Sequence, residues 1–448
     1  MYKGIDLVAI NVSGLFGLYD HSILLSRDSK ITIVAGANGI GKTHLIKIAH
    51  SVLNLDFESL VNLPYCSAVL VFSDEKKIKV ERFVAEGGEV REGVEFSLFD
   101  KEGSRLDWQF FSSEEVGMAD ESSFLPPYVR RVGSNTWLDE RSGLRHSNRT
   151  VERMYSISLS TMREAREISG VKQWIKALNE SYKSNFIETK RLEYPVIGSS
   201  KDDAYLRSSR FKERDESGPV VAYINRIEEQ ITHARRASLR KSQIADRKFV
   251  NRLIESSDKD VEQSYLVDTY EELSRLNDDL SLNGLSLRSA TVQIPDNANS
   301  TQRVVLDVFL QDWRTKLEPF LPVHRKIETL KGIVNSKFIG KKLEVGREGD
   351  VSFRSKNGAR LRVNQLSSGE QHILALFTLL LFDSEPGAIV FIDEPEISLH
   401  AAWKHSFVDD LEEVSKVSSV SVVMATHSTA IVNGRWDLVQ ELETPHGD

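Results

Sequence analysis

The chain has 448 residues, of which 40% are hydrophobic and 28% charged, and it carries a formal net charge of −8. That length supports two or more structural units with sizeable cores. The acidic balance argues against polyanion binding by the surface as a whole, though not against a local basic patch. A single cysteine, Cys66, excludes an internal disulfide framework and a cysteine-rich zinc site, and it fits a reducing cytoplasm.

Met1 to Asp6 lack the basic-then-apolar pattern of a secretion signal. Short β-like runs follow. Leu7 to Val12 and Ile31 to Ala35 are apolar and β-branched, and the second runs directly into a glycine-rich loop. Val69 to Phe72 and Ile78 to Val80 continue the strand character around a turn at Asp74 to Lys77. These runs predict a first lobe over residues 1–112.

The interval 113–335 changes character and is predicted to be a mostly helical insertion. Ile224, Ile227, Ile231 and Ala234 form one apolar stripe at helical spacing, and Val267, Tyr270, Leu273, Leu276 and Leu280 form another. Two such helices predict an antiparallel hairpin or a small helical domain. The polar stretch from Gly198 to Gly218 predicts an exposed loop between elements. Two basic groups, Arg235 to Lys241 and Arg130, Arg131, Arg141, Arg145 and Arg149, are candidates for phosphate contact or for ordinary solvated faces.

The last part, 336–448, opens with a β-like hairpin at Lys342 to Val345 and Val351 to Phe353. Helix and strand then alternate through Gln371 to Phe382, Ala388 to Ile392, Ala401 to Val414 and Ser419 to Ala425. That alternation predicts a parallel sheet with crossover helices. The longest apolar run, Ile373 to Phe382, is about half the ~20 residues that span a bilayer, so it predicts a buried helix and no membrane segment.

Four motifs carry chemistry. Gly36-Ala37-Asn38-Gly39-Ile40-Gly41-Lys42-Thr43 matches G-x-x-x-x-G-K-[ST] between a strand and a helix. Its glycines let backbone N–H groups wrap a phosphate. Lys42 is placed on the β- and γ-phosphates of ATP and Thr43 on Mg²⁺, with Asn38, Gly39 and Gly41 as loop contacts. Ile389 to Ile392 then Asp393-Glu394 describes a buried strand with two acids at its C-terminal end. Asp393 is expected at the metal, and Glu394 is expected to deprotonate the attacking water. Leu366-Ser367-Ser368-Gly369-Glu370-Gln371 opens a helix with hydroxyls and free N–H groups, an N-cap that suits an anion equally well. His427, in Ala425-Thr426-His427-Ser428, ends the last strong strand.

These four motifs in this order, with an insertion after the first, resemble the SMC/RecF branch of ABC ATPases. Phe353 to Leu442 more closely resembles the stand-alone ATPases of bacterial anti-phage systems, such as the Septu and retron-associated ATPases and, more loosely, the PARIS and OLD families. The resemblance implies an α/β, ABC-type P-loop core assembled from both chain ends. It implies that Ser367, Ser368 and Gly369 act as the signature, capping the γ-phosphate held by another copy, with Ser368 in place of the usual first glycine. It also implies that His427 is the switch histidine and that ATP closes head-to-tail dimers, a higher oligomer being a further option.

The expected function is an ATP hydrolase that controls a separate effector, a nuclease in this expectation, with DNA or a phage-derived molecule as trigger and no membrane partner. With only a few residues after the last motif, the nuclease is expected on a separate chain rather than in a C-terminal domain. A RecF-like repair clamp and an ATP-locked scaffold are the alternatives. Three departures stand out: no aspartate in Ser398-Leu399-His400, Lys190 where relatives often have glutamine, and no Cys-x-x-Cys hook.

Overall fold

The computed structural model describes residues 5–84, 92–113, 129–133, 136–139, 144–147, 171–188, 219–256, 259–286, 294–295, 297–397 and 399–443. Its centre is a five-stranded parallel sheet ordered Ser184–Glu188, Ile389–Asp393, Ser421–Ala425, Ile31–Ala35 and Val439–Glu441. Strands from both chain ends therefore lie side by side. The register sets Asp393 beside Glu188 on one edge and Ala425 on the other, so the acids and the glycine-rich loop emerge at the same end of the sheet.

The sheet is buried on both faces, as its nearly unbroken apolar strands require. Side chains alternate across it. Ile31, Ile33, Val390, Ile392, Val422 and Met424 face one core, and Val34, Ile389, Phe391, Val423 and Ala425 face the other. The first core is filled by helices Leu321–Lys337, Ser368–Thr378 and Phe407–Ser418. The second holds helix Lys42–Asn54 under a six-stranded antiparallel sheet running Tyr19–Leu24, Leu7–Leu15, Ser67–Phe72, Lys77–Phe83, Gly93–Phe99 and Arg105–Ser112. The fold is α/β, with a central parallel sheet built from both chain ends.

The interval 113–335 is not one helical block. Helix Gln173–Ser181 and strand Ser184–Glu188 belong to the core, and the strand forms the sheet edge against Ile389–Asp393. The strand is short and half polar, and its partner lies some two hundred residues on, so no local pattern announces it. The helical arm starts later, with Pro219–Glu255, Gln263–Leu282 and Ser300–Leu317.

The first two of these helices do not form the expected simple hairpin. Each packs chiefly on the third, which takes Ser238 Oγ on the Lys316 carbonyl at 2.7 Å and joins Glu272 to Arg314 at 2.9 Å. The stripe of Ile224, Ile227, Ile231 and Ala234 is buried, whereas in the second helix Leu266 takes the buried position and Val267 faces out. The loop predicted at 198–218 and the side chains of the earlier arginine group lie outside the described residues.

Candidate nucleotide site

The phosphate loop is built from backbone that only glycine tolerates. Gly39 and Gly41 have φ of 89° and 95°, where a side chain is strained. A Cβ on Gly41 would also meet Leu15 at 2.2 Å. Helix Lys42–Asn54 starts straight from this turn, so its free N–H groups and positive end point toward the loop. Asn38 and Gly39 face solvent. Lys42 is buried and its Nζ donates to the Gly36 carbonyl at 2.8 Å and the Ala37 carbonyl at 2.9 Å. Burial holds the ammonium below the usual lysine value, while Glu394, Glu396 and Asp393 pull it back up. One ammonium thus faces three carboxylates.

Thr43 and Asp393, 350 positions apart, meet directly: the Thr43 hydroxyl donates to Asp393 Oδ1 at 2.8 Å. These are hard oxygen donors of the kind Mg²⁺ takes, and they stand beside the phosphate loop. Among the described residues no three His, Cys, Asp or Glu side chains form a metal cage. A Mg²⁺ site has no need of one, because this ion usually binds through one or two protein oxygens together with phosphate and water. Glu394 is half-buried, with φ of 46° and its N–H donating to the Ala425 carbonyl at 2.9 Å. Left-handed backbone is costly for a non-glycine residue, and the bond to the Ala425 carbonyl helps to hold it.

His427 follows the adjacent strand. Its Nδ1 lies 3.0 Å from Glu396 Oε1 and its ring is partly exposed. The same oxygen accepts the His427 N–H at 2.9 Å and the Thr426 hydroxyl at 2.7 Å. The ends of the Asp-Glu strand and the histidine strand are therefore joined through one buried carboxylate.

Ser367, Ser368 and Gly369 are not brought into this cluster. Ser367 caps helix Ser368–Thr378 in a reciprocal box with Glu370, whose carboxylate accepts hydrogen bonds from the Ser367 N–H at 2.7 Å and from Lys341 Nζ at 2.7 Å. Among the described residues, the hydrogen bonds of 367–371 run within this helix start and its neighbours, none to loop 36–43. Ser367 and Ser368 are exposed. His400 accepts the Ala402 N–H at 3.3 Å as a helix cap, and Ser398 and Lys190 lie outside the described residues.

Residues 181–433, a little over half of the chain, match the family model described as "AAA domain, putative AbiEii toxin, Type IV TA system". The chain belongs to this AAA-domain family. The match spans the signature segment, Asp393, Glu394 and His427, while the phosphate loop lies ahead of it. Among solved structures the chain is similar to the Smc head domain with an extended coiled coil from Pyrococcus furiosus, bound there to the C-terminal domain of ScpA. The identity is 12%, covering 98% of this chain and 94% of that one, with a TM-score of 0.37. It is also similar to the SMC head domain from Thermotoga maritima, at 10% identity over 97% of this chain and 94% of that one, with a TM-score of 0.35. No curated protein matches it.

Three residues of the site went unseen in the sequence. Glu396 holds His427, yet its only visible signal was a second acid two places after Glu394. His21 is buried and its Nε2 meets the Ile40 carbonyl at 2.7 Å, bracing the phosphate loop from the antiparallel sheet. Phe16, 41% exposed, stands edge-on to His44 at 4.8 Å beside the same loop. Neither residue belongs to any motif.

Proposed function

We propose that this AAA-domain protein is a Mg²⁺-dependent ATPase whose working site forms between two copies, head to tail. The observation that carries this is the meeting of Lys42, Thr43, Asp393 and His427 at one sheet end while Ser367 and Ser368 face solvent. The loop amides and Lys42 bind the phosphate charge. Thr43 and Asp393 hold the metal, which when bound supplies charge neutralisation at the β- and γ-phosphates. Glu394 takes a proton from the attacking water, and His427 contacts the γ-phosphate. Ser367, Ser368 and Gly369 of a second copy complete the pocket, so ATP binding closes the pair and hydrolysis releases it.

The switch, in this proposal, controls a separate effector nuclease in anti-phage defence. Membership in a family described by a toxin of a toxin–antitoxin system supports that setting. No described helix is long and apolar enough to cross a membrane. The test is plaque formation by a phage panel on cells carrying the gene with its neighbours, comparing wild type with Lys42→Ala. Protection lost in the variant is the expected result. Equal plaquing on both strains across a broad panel would reject the defence role.

A further inference from the structure

Glu396 sits in the short turn Pro395–Ile397 and is 5% exposed. Burying a carboxylate is costly unless hydrogen bonds compensate. Here the compensation is lopsided. Oε1 takes the Thr426 hydroxyl, the His427 N–H and the His427 ring at 2.7, 2.9 and 3.0 Å, whereas Oε2 is buried with no partner among the described residues. Thr426 Oγ1 in turn accepts the Ser428 N–H at 3.0 Å. Among the described residues the hydrogen bonds to this carboxylate come from 426–427, and the Thr426 hydroxyl that gives one of them also holds the turn at residue 428.

We propose that Glu396 is a positioning residue for His427, a role that rests on the ATPase function proposed above. An ionised carboxylate only accepts, so a ring nitrogen that bonds to it carries the proton. The contact to Nδ1 therefore places the ring proton there and leaves Nε2 as the other ring position. It also sets the ring's height and direction, because Glu396 holds both the imidazole and the backbone that carries it. Glu396 stands two residues beyond Glu394 and electrostatically near Lys42. A shift of the Asp-Glu strand end would move the histidine with it. A purely structural role would need only the backbone contact and would not select the ring nitrogen.

The test combines a mutant cycle with a spectroscopic readout that needs no turnover. Glu396→Ala should lower kcat about 10- to 100-fold, the scale on which orienting partners of functional groups act, with KM for ATP nearly unchanged. In a His427→Ala background the same change should cost little more, since residues acting as a unit are non-additive. Glu396→Gln keeps the volume and one acceptor, so it should fold and fall between wild type and Glu396→Ala. If Glu396→Ala proves unfolded by circular dichroism, the Gln variant carries the cycle. Nitrogen-15 NMR of the histidines, with His427 assigned by its loss in His427→Ala, should show Nδ1–H in wild type and a changed tautomer in Glu396→Ala. An undiminished further loss in the His427→Ala background, or an unchanged tautomer, would overturn the proposal. A wild-type protein without ATPase activity would instead reject the proposed function and leave the NMR arm to decide the Glu396–His427 pair.

Discussion

The phosphate loop and the signature turn are both loops that open a helix, yet the chain finishes them differently. At the loop, Lys42 is folded in against Gly36 and Ala37, Thr43 is bound to Asp393, and His21 braces Ile40. At the signature turn, Glu370 and Lys341 satisfy the inner side while Ser367 and Ser368 remain in solvent. In the arrangement proposed above, one half of the site is wired within the chain and the other is displayed outward. A rigid cap with exposed hydroxyls suits a partner brought to it, and its stability does not depend on that partner.

The largest expected effect falls on the wired half. Glu394→Gln should lower kcat by about 10²–10⁴, the range that general-base catalysis contributes, while ATP binding survives. Light scattering should then show ATP-dependent association that persists, and adding Ser367→Arg should abolish it. Association unaffected by Ser367→Arg would break the contrast between the two turns.

The support behind the loop offers a pH test. His50, on the phosphate-loop helix, meets Ser184 Oγ at 3.0 Å and lies against Phe186 and Phe391. Burial lowers its pKa from 6.5 to about 4. A depressed folded value means that the unfolded chain takes up the proton first as pH falls. The stability is therefore full above about pH 6.5 and is lost toward pH 4. The loss at pH 4.5 should be on the order of 2 kcal/mol. Urea unfolding at pH 7 and pH 4.5 should show a smaller acid loss in His50→Gln than in wild type; parallel losses would remove His50 from the account.

Smaller effects separate clamp from surface in the helical arm. Arg235 donates to the carbonyls of Gly284, Arg347 and Glu348, and because Gly284 is buried, Arg235→Ala should cost about 1–2 kcal/mol by leaving its carbonyl unpaired. Lys241 pairs with Glu318 at the surface, and Lys241→Ala should cost less than about 1 kcal/mol. Equal costs in thermal unfolding would deny that distinction. The basic run Arg235 to Lys241 is thus partly consumed in structure, with Arg236 and Arg240 left exposed.

The sequence exposed those parts whose determinants are contiguous. Glycines that must turn, a lysine and threonine after them, and two acids after four apolar residues can all be read within ten positions. The meeting of Thr43 with Asp393 could be inferred only because each belongs to a known phosphate-site pattern. Ser184–Glu188 escaped because its place depends on pairing with Ile389–Asp393, not on its own composition. The stripes on the arm gave the buried faces of the helices but not their neighbours, and the third helix settles between them. Glu396 escaped for a related reason, since its partners lie thirty and thirty-one residues away across a strand crossover.

The central claim is that one copy's phosphate loop works with another copy's signature turn, and mixing two dead variants tests it most directly. Lys42→Ala and Ser367→Arg should each be inactive alone. In a head-to-tail pair of the two, one site joins both defects and the other joins two intact halves. Because neither variant should pair with itself, the pairs that form are mixed and each has one good site of two, so mixing should restore activity up to about half of wild type. A mixture that associates with ATP and remains as inactive as its components would contradict the shared site.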